Sequence, residues 1–453
     1  MLSEAFTAGQ LSLILEPAPG LALLPDPYDP RSRSGIPRCR LDGPGSDCYL
    51  MDASYFKGRY YLYWGPVPAV LLAGLRVIGV RRIGDNALAL VGASMLFLFM
   101  ALCVWNLWRT FFDHLPRWLL VPPVLLAGVA YPLPWVLDAP LIYEAAILLG
   151  SAALMAGLAF AIPSLVSEDH RSARLVLVGI LWGVAFGTRA VLGLPVAVLV
   201  SVIAYRLLRD GRPGIRRGSG LPQVAVLTLP LLASVTLTAM YNTARFSNPL
   251  EFGLRYAVGS PLGHFIGPGI FDWGHIAANT YNYLFAPFVV VRQFPFLGSV
   301  APEFSILHIR IPHPELSSGE YVTGLLAAIP FLFFGAYLLW WLECGAAGSG
   351  QKARELESAP TLPDVTALRR VVVPLALASV AAFAPLLSYY VVTARYLLDV
   401  SPLLIVLAGV GSWTAYATAR TPITRGAVST AIAVTSFVSA MAGILLGLNN
   451  PLR

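Results

Sequence analysis

Charge is what this sequence has least of. Asp, Glu, Lys and Arg make up 12% of its 453 residues and apolar residues 57%, where a soluble domain carries about 25% charged residues. That balance excludes an ordinary water-soluble globule. Strand-like alternation is missing as well. No Walker loop, dinucleotide fingerprint, HExxH or GxSxG occurs, and the six histidines are scattered rather than spaced as metal ligands. The first 60 residues hold no plausible span, because Pro17, Pro19, Pro25, Pro27 and Pro30 interrupt every apolar run. A basic stretch leading into an unbroken apolar core is absent there too, so no signal peptide is read. Cysteine is scarce: Cys103 and Cys344 fall in or at the end of spans, while Cys39 and Cys48 bracket a Gly/Pro-rich loop, where a disulfide and two unpaired thiols are both open readings.

What is present is a series of hydrophobic runs of about 20 residues, the length a spanning helix needs. The chain reads as an all-α polytopic membrane protein of about ten transmembrane helices. Residues 1–85 form a region outside the membrane with an interfacial segment at Pro66–Val80, and residues 86–453 form the helical domain. The expected spans are Asn86–Phe111, Trp118–Leu137, Ile142–Val166, Leu175–Thr188, Val191–Leu208, Pro222–Tyr241, Val322–Leu342, Val371–Val392, Leu398–Thr418 and Ala427–Leu446. The formal charge of +7 sits mostly in short connectors at Arg109–Arg117, Arg171–Arg174, Arg206–Arg217, Lys352–Arg370 and Arg420–Arg425. Such spacing is the positive-inside pattern and argues against a nucleic-acid partner. With those connectors in the cytoplasm, Asn86 and everything before it lie outside, and so does a long loop at 242–321. A first transmembrane helix upstream of Met1 is then expected, since nothing in residues 1–60 would carry that region across.

Chemistry-bearing residues gather on the outside. The stretch YLMDASYFKGRYYLYWGPVP, Tyr49–Pro68, packs seven aromatic rings with Asp52, Lys57 and Arg59, a composition suited to the membrane-water boundary, and Tyr63 lies within it. Asp138 and Glu144 flank a turn between two spans, where a carboxylate must be wet, paired or metal-bound. Arg189, in GVAFGTRAVLG, interrupts an apolar run and requires an anion: a phosphate, a protein carboxylate or lipid headgroups. Arg255 and Tyr256 belong to a dense polar stretch with Asn242, Arg245 and Glu251. Near the end, Arg395, Tyr396 and Asp399 surround another turn, and the four-residue spacing of Arg395 and Asp399 would pair them on an α-helix.

These stretches, in the order GQLSLILEP, LPDPYDP, DASYFKGRYYLYWGPVPA, AFGTRA, YNTARFSNPLEFGLRY and RYLLDVSPLL, resemble bacterial GT-C-fold membrane glycosyltransferases, the group that includes protein O-mannosyltransferase-like and aminoarabinose-transferase-like enzymes. The resemblance implies transfer of a sugar from a polyprenyl-phosphate carrier to a glycan, lipid or protein acceptor at the outer face of the bacterial inner membrane. It implies a carboxylate in the first outer loop. Asp52 matches the later part of that loop, Glu4 stands in for the earlier part, and Asp138 falls near the second outer loop. Arg189 and Arg395 match positions where basic side chains face the carrier phosphate. Lys57, Arg59, Tyr63, Glu144, Arg255, Tyr256 and Tyr396 complete the expected substrate contacts, and a divalent cation is left open. Two other classes fit the composition: a carrier or flippase of lipid-linked saccharides, and an inactive scaffold of an envelope-assembly complex. A transporter would show charges deep in its spans and an internal repeat, and the sequence shows neither.

Overall fold

A computed structural model describes residues 2–29, 31–39, 48–50, 53–80, 83–138, 140, 142–166, 171–209, 220–258, 270–303, 305–306, 309–310, 318–347 and 364–449. Among the described residues, eight helices are long and apolar enough to cross a membrane. The chain is a polytopic helical membrane protein.

After a short helix α1 (Leu2–Thr7) and an 11-residue helix α2 (Val67–Val77), the first span is α3 (Asp85–Phe111). Its 27 residues reach about 40 Å at ~1.5 Å per residue, more than the ~30 Å hydrocarbon core. The second, α4 (Arg117–Asp138), is broken into Val121–Val129 and Leu133–Asp138, because Pro132 offers no backbone N–H to continue the ladder. Next come α5 (Ile142–Val166), α6 (Ser172–Thr188), α7 (Gly193–Arg209) and α8 (Leu221–Phe246). A long loop leads to α9 (Phe333–Ala347), and α10 (Val365–Ser388), α11 (Ser401–Thr418) and α12 (Pro422–Gly447) finish the bundle.

α5 is the hub. It is apolar all round and almost entirely buried, as expected for a helix surrounded by other helices. Small residues let its neighbours approach: a Cβ on Gly157 would run into the Trp182 indole of α6, whose Nε1–H donates to Leu154 O at 3.2 Å.

The first eighty residues build a separate hydrophobic cluster around Leu2, Leu21, Leu50, Tyr60 and Ala69. Strands β1 (Ala53–Phe56) and β2 (Arg59–Tyr61) form a hairpin, whose turn residues Lys57 and Gly58 both have positive φ, 48° and 75°, as a tight two-residue turn requires. The sheet is completed from far along the chain by β3 (Ala257–Val258), which pairs with β1. Cys39 and Cys48 are joined by a disulfide, Cα–Cα 5.3 Å, which resolves the alternative that the sequence left open. α2 spans about 16 Å at ~1.5 Å per residue, too short to cross, and it exposes Val70, Leu71, Val77 and, just beyond its end, Ile78.

Several expected spans differ. The Leu175–Thr188 run is a 17-residue helix, below the length of the eight spans. Val322–Leu342 is divided into Leu325–Ala328, a turn at Pro330–Leu332 and α9, since Pro330 again interrupts the hydrogen bonding. The run expected to end at Val392 stops at Ser388, and Val391–Val392 instead pairs with Ser318–Gly319. Residues Ala394–Asp399 form a 3-10 helix ahead of α11. The strands missed by sequence are two to four residues long, too short to show alternation.

Candidate functional site

At one end of the bundle the chain encloses a cavity of about 380 Å³. Six places in the sequence supply its wall. They are Tyr63 to Gly65 after β2, Tyr143 to Ile147 at the start of α5, Phe186 to Val191 at the end of α6 and the turn after it, Thr238 in α8, Leu250 to Leu254 with Phe271 in the long loop, and Pro385 to Tyr396 from the last turn of α10 onward. Gly65 is what lets the first touch the third. A Cβ there would collide with the Gly187 carbonyl at the end of α6.

Arg189 lines the cavity at the break between α6 and α7. Its Nε lies 2.9 Å from both oxygens of Asp399 and its Nη2 2.8 Å from Oδ2. Asp399 is 1% exposed and Arg189 16%. Burial pushes the Asp399 carboxyl up from its usual range, and Arg189 works against that rise. The pair engages Nε and Nη2 and does not engage Nη1. Next door, Arg395 bonds to Glu320 at 2.9 Å and to Glu144 at 3.4 Å. Glu320 also accepts a hydrogen bond from the Thr393 hydroxyl, 2.7 Å. Burial would lower the Arg395 pKa, but Glu320, Tyr396, Glu144 and Tyr143 together more than offset it and hold it above the usual value. The Tyr396 ring lies between the two guanidinium groups, 5.1 Å from Arg189 and 5.8 Å from Arg395, and Tyr143 lies 5.0 Å from Arg395.

The expected pairing of Arg395 with Asp399 is therefore not found. In a 3-10 helix residues three apart eclipse, so residues four apart are turned about 120° away from each other. Asp399 is left to Arg189 across the bundle, and Arg395 to carboxylates of α5 and the long loop.

Glu251 is the carboxylate in the wall. Its Oε1 accepts the Gly253 N–H at 2.7 Å, Gly253 has φ 95°, and the Gly253 carbonyl accepts from the Ser54 hydroxyl at 2.8 Å. The hairpin β1–β2 thus holds the acid in place. The phenol of Tyr389, also in the wall, is raised well above its ordinary pKa by burial and by neighbouring tyrosines, so it stays protonated and able to donate.

Among the residues singled out from sequence, the cavity brings together Tyr63, Arg189 and Tyr396, with Glu144 and Arg395 packed behind Tyr143 and Tyr396. Asp138 ends the second half of α4 and is not in the wall. Lys57 and Arg59 are exposed at the β1–β2 turn, and Arg255 is exposed. Tyr256 stacks on Phe246, centroids 5.6 Å apart. Glu4 pairs with Arg76 of α2 at 3.0 Å, beside a separate pocket of about 110 Å³. Asp52 lies outside the described residues. Glu320 carried no sequence signal; the cation at Arg395 was the clue that an anion had to face it. Among the described residues no group of three or more His, Cys, Asp or Glu is placed to hold a metal ion.

No protein-family model matches the chain, and no curated protein matches it. Two solved structures align with most of it. The oligosaccharyltransferase of Archaeoglobus fulgidus in the apo form is 16% identical, with a TM-score of 0.39 over 88% of this chain and 49% of that one. ArnT from Cupriavidus metallidurans bound to undecaprenyl phosphate is 15% identical, with a TM-score of 0.35 over 88% and 69%. The chain spans about half the length of the first.

Proposed function

We propose that this chain is a membrane glycosyltransferase that moves a sugar from a polyprenyl-phosphate carrier to a glycan, lipid or protein acceptor at the extracytoplasmic face of a bacterial inner membrane. The observation that carries the reading is the cavity, aromatic on most sides, with one guanidinium and one carboxylate in its wall at the ends of spanning helices. Glu251 takes the acceptor hydroxyl proton as that oxygen bonds to the anomeric carbon. The bond from that carbon to the carrier phosphate breaks with its electron pair on phosphate, where Nη1 of Arg189 and the phenol of Tyr389 stabilise the charge. Phe186, Val191 and Leu386 offer the isoprenoid an apolar surface. Basic connectors at the opposite ends of the helices support the sidedness, and the Cys39–Cys48 bond supports an oxidising compartment for the N-terminal region. Asp52, Asp138 and Glu4 are the other candidate acids for the base.

Radiolabelled sugar transfer from polyprenyl-phosphate donors, measured in membranes, tests this. Glu251→Gln is expected to lower kcat by about 10²–10⁴-fold with KM little changed, while Asp52→Asn and Asp138→Asn retain most activity. Full activity in Glu251→Gln removes that residue from the role, and no transfer by the unaltered chain from any such donor refutes the enzyme.

A further inference from the structure

The long loop carries a hairpin that the proposed chemistry does not use. Strands β4 (Val289–Val290) and β5 (Leu297–Gly298) pair antiparallel. The tip is closed by Val291 N–H donating to Phe296 O and Phe296 N–H to Gln293 O, both 2.8 Å. Val290 is 77% exposed, Phe294 68% and Phe296 49%, with the two rings 5.9 Å apart. Arg292, between Val290 and Phe294 in sequence, is exposed as well. Single apolar side chains in water are ordinary, but with Val289, 43% exposed, there are four on a ten-residue hairpin, a patch that marks a contact surface.

Where the hairpin is anchored says what covers it. The Leu297 carbonyl accepts a hydrogen bond from the Asn449 side chain at 2.9 Å, just past the last turn of α12. That helix and its C-cap Leu448 expose Val434, Phe437, Val438, Met441, Ile444 and Leu448 itself, a stripe at three- and four-residue spacing of the kind a spanning helix presents to acyl chains. The stripe ends at Leu448, one residue before the hairpin's anchor. The hairpin therefore begins where the lipid-facing surface stops, at the depth of the headgroups.

We propose that the tip inserts Val290, Phe294 and Phe296 into the interfacial layer of the bilayer, with the Arg292 guanidinium at the headgroup phosphates. Aromatic rings favour that layer, and a basic side chain beside them reaches the phosphates by snorkelling. The proposal stands on the anchoring of the hairpin to α12 and is independent of the transferase reading and of which face is outside.

The test uses the full chain in phosphatidylcholine–phosphatidylglycerol vesicles in a Cys344→Ser background. An environment-sensitive fluorophore is placed at Phe294→Cys and, as a second position, Phe296→Cys, with Lys57→Cys at the exposed β1–β2 turn as reference. Nitroxide lipids labelled near the headgroup are expected to quench positions 294 and 296 severalfold more strongly than position 57, with blue-shifted emission. Equal quenching of all three by aqueous iodide, without lipid quenching at 294 or 296, overturns the proposal. So does protection from both quenchers together with energy transfer between labelled copies, which would make a second copy of the chain the occupant.

Discussion

Replacing Asp399 with Asn tests whether the Arg189–Asp399 pair is the buried contact that the geometry describes. The carboxylate is 1% exposed and the guanidinium 16%, with N–O distances of 2.8–2.9 Å, so little water is available to either partner. Removing one partner of a buried pair costs about 3–5 kcal/mol, chiefly because the remaining charge is stranded. Asn keeps an oxygen for Nε or Nη2, which places Asp399→Asn near the lower end, at about 3 kcal/mol. That is roughly two powers of ten in the folded-to-unfolded ratio. Arg189→Met leaves the carboxylate stranded and is expected to cost about as much, whereas Arg189→Met with Asp399→Leu strands neither and lies within about 1 kcal/mol of the parent. Denaturing-detergent titration in micelles, followed by tryptophan fluorescence, gives the four corners of the cycle, which are the parent, Arg189→Met, Asp399→Leu and the double variant, with Asp399→Asn measured alongside. A single-variant cost under about 0.5 kcal/mol, or a double variant equal to the sum of the singles, refutes the reasoning.

The same assay checks three further expectations. Glu320→Gln costs about 1–2 kcal/mol, less than Asp399→Asn, because Glu144 still faces Arg395 and Glu320 is 30% exposed. Gly253→Ala costs about 1–3 kcal/mol, since φ there is 95° and a Cβ would lie 2.7 Å from the Ser54 hydroxyl and against the Phe246 ring; Gly426→Ala, in open space on a helix, stabilises by up to about 1 kcal/mol.

Helical class and most helix positions were legible because a spanning helix announces itself by length and polarity alone. Where the reading slipped, proline or a short strand was responsible: Pro132 and Pro330 divide runs that are continuous in hydropathy, and Val391 and Val392 look as apolar in a strand as in a helix. Within the site, Arg189, Tyr63 and Tyr396 stood out because each is polar or amphipathic beside an apolar run. Glu251 was noticed only as one of several polar neighbours of Arg245. Nothing local distinguishes it, because its place in the wall depends on Ser54 and Gly253 meeting across the fold. The Arg395–Asp399 spacing misled for a definite reason: an i,i+4 rule presumes an α-helix, and that turn is wound more tightly.

The three-stranded sheet has a consequence for biogenesis. Ser54 pairs with Ala257, so the edge of β1 is synthesised about 200 residues before its partner, a wait of roughly 10–40 s at ordinary elongation rates. During that interval the six hydrophobic helices α3 to α8 are made while an unpaired strand edge stands open, the kind of surface that recruits wrong partners. Nascent chains arrested before residue 257 should be cut by protease near the β1–β2 hairpin, and those arrested well after 258 should resist; equal cleavage of both would show that the hairpin is settled without its late-arriving neighbour.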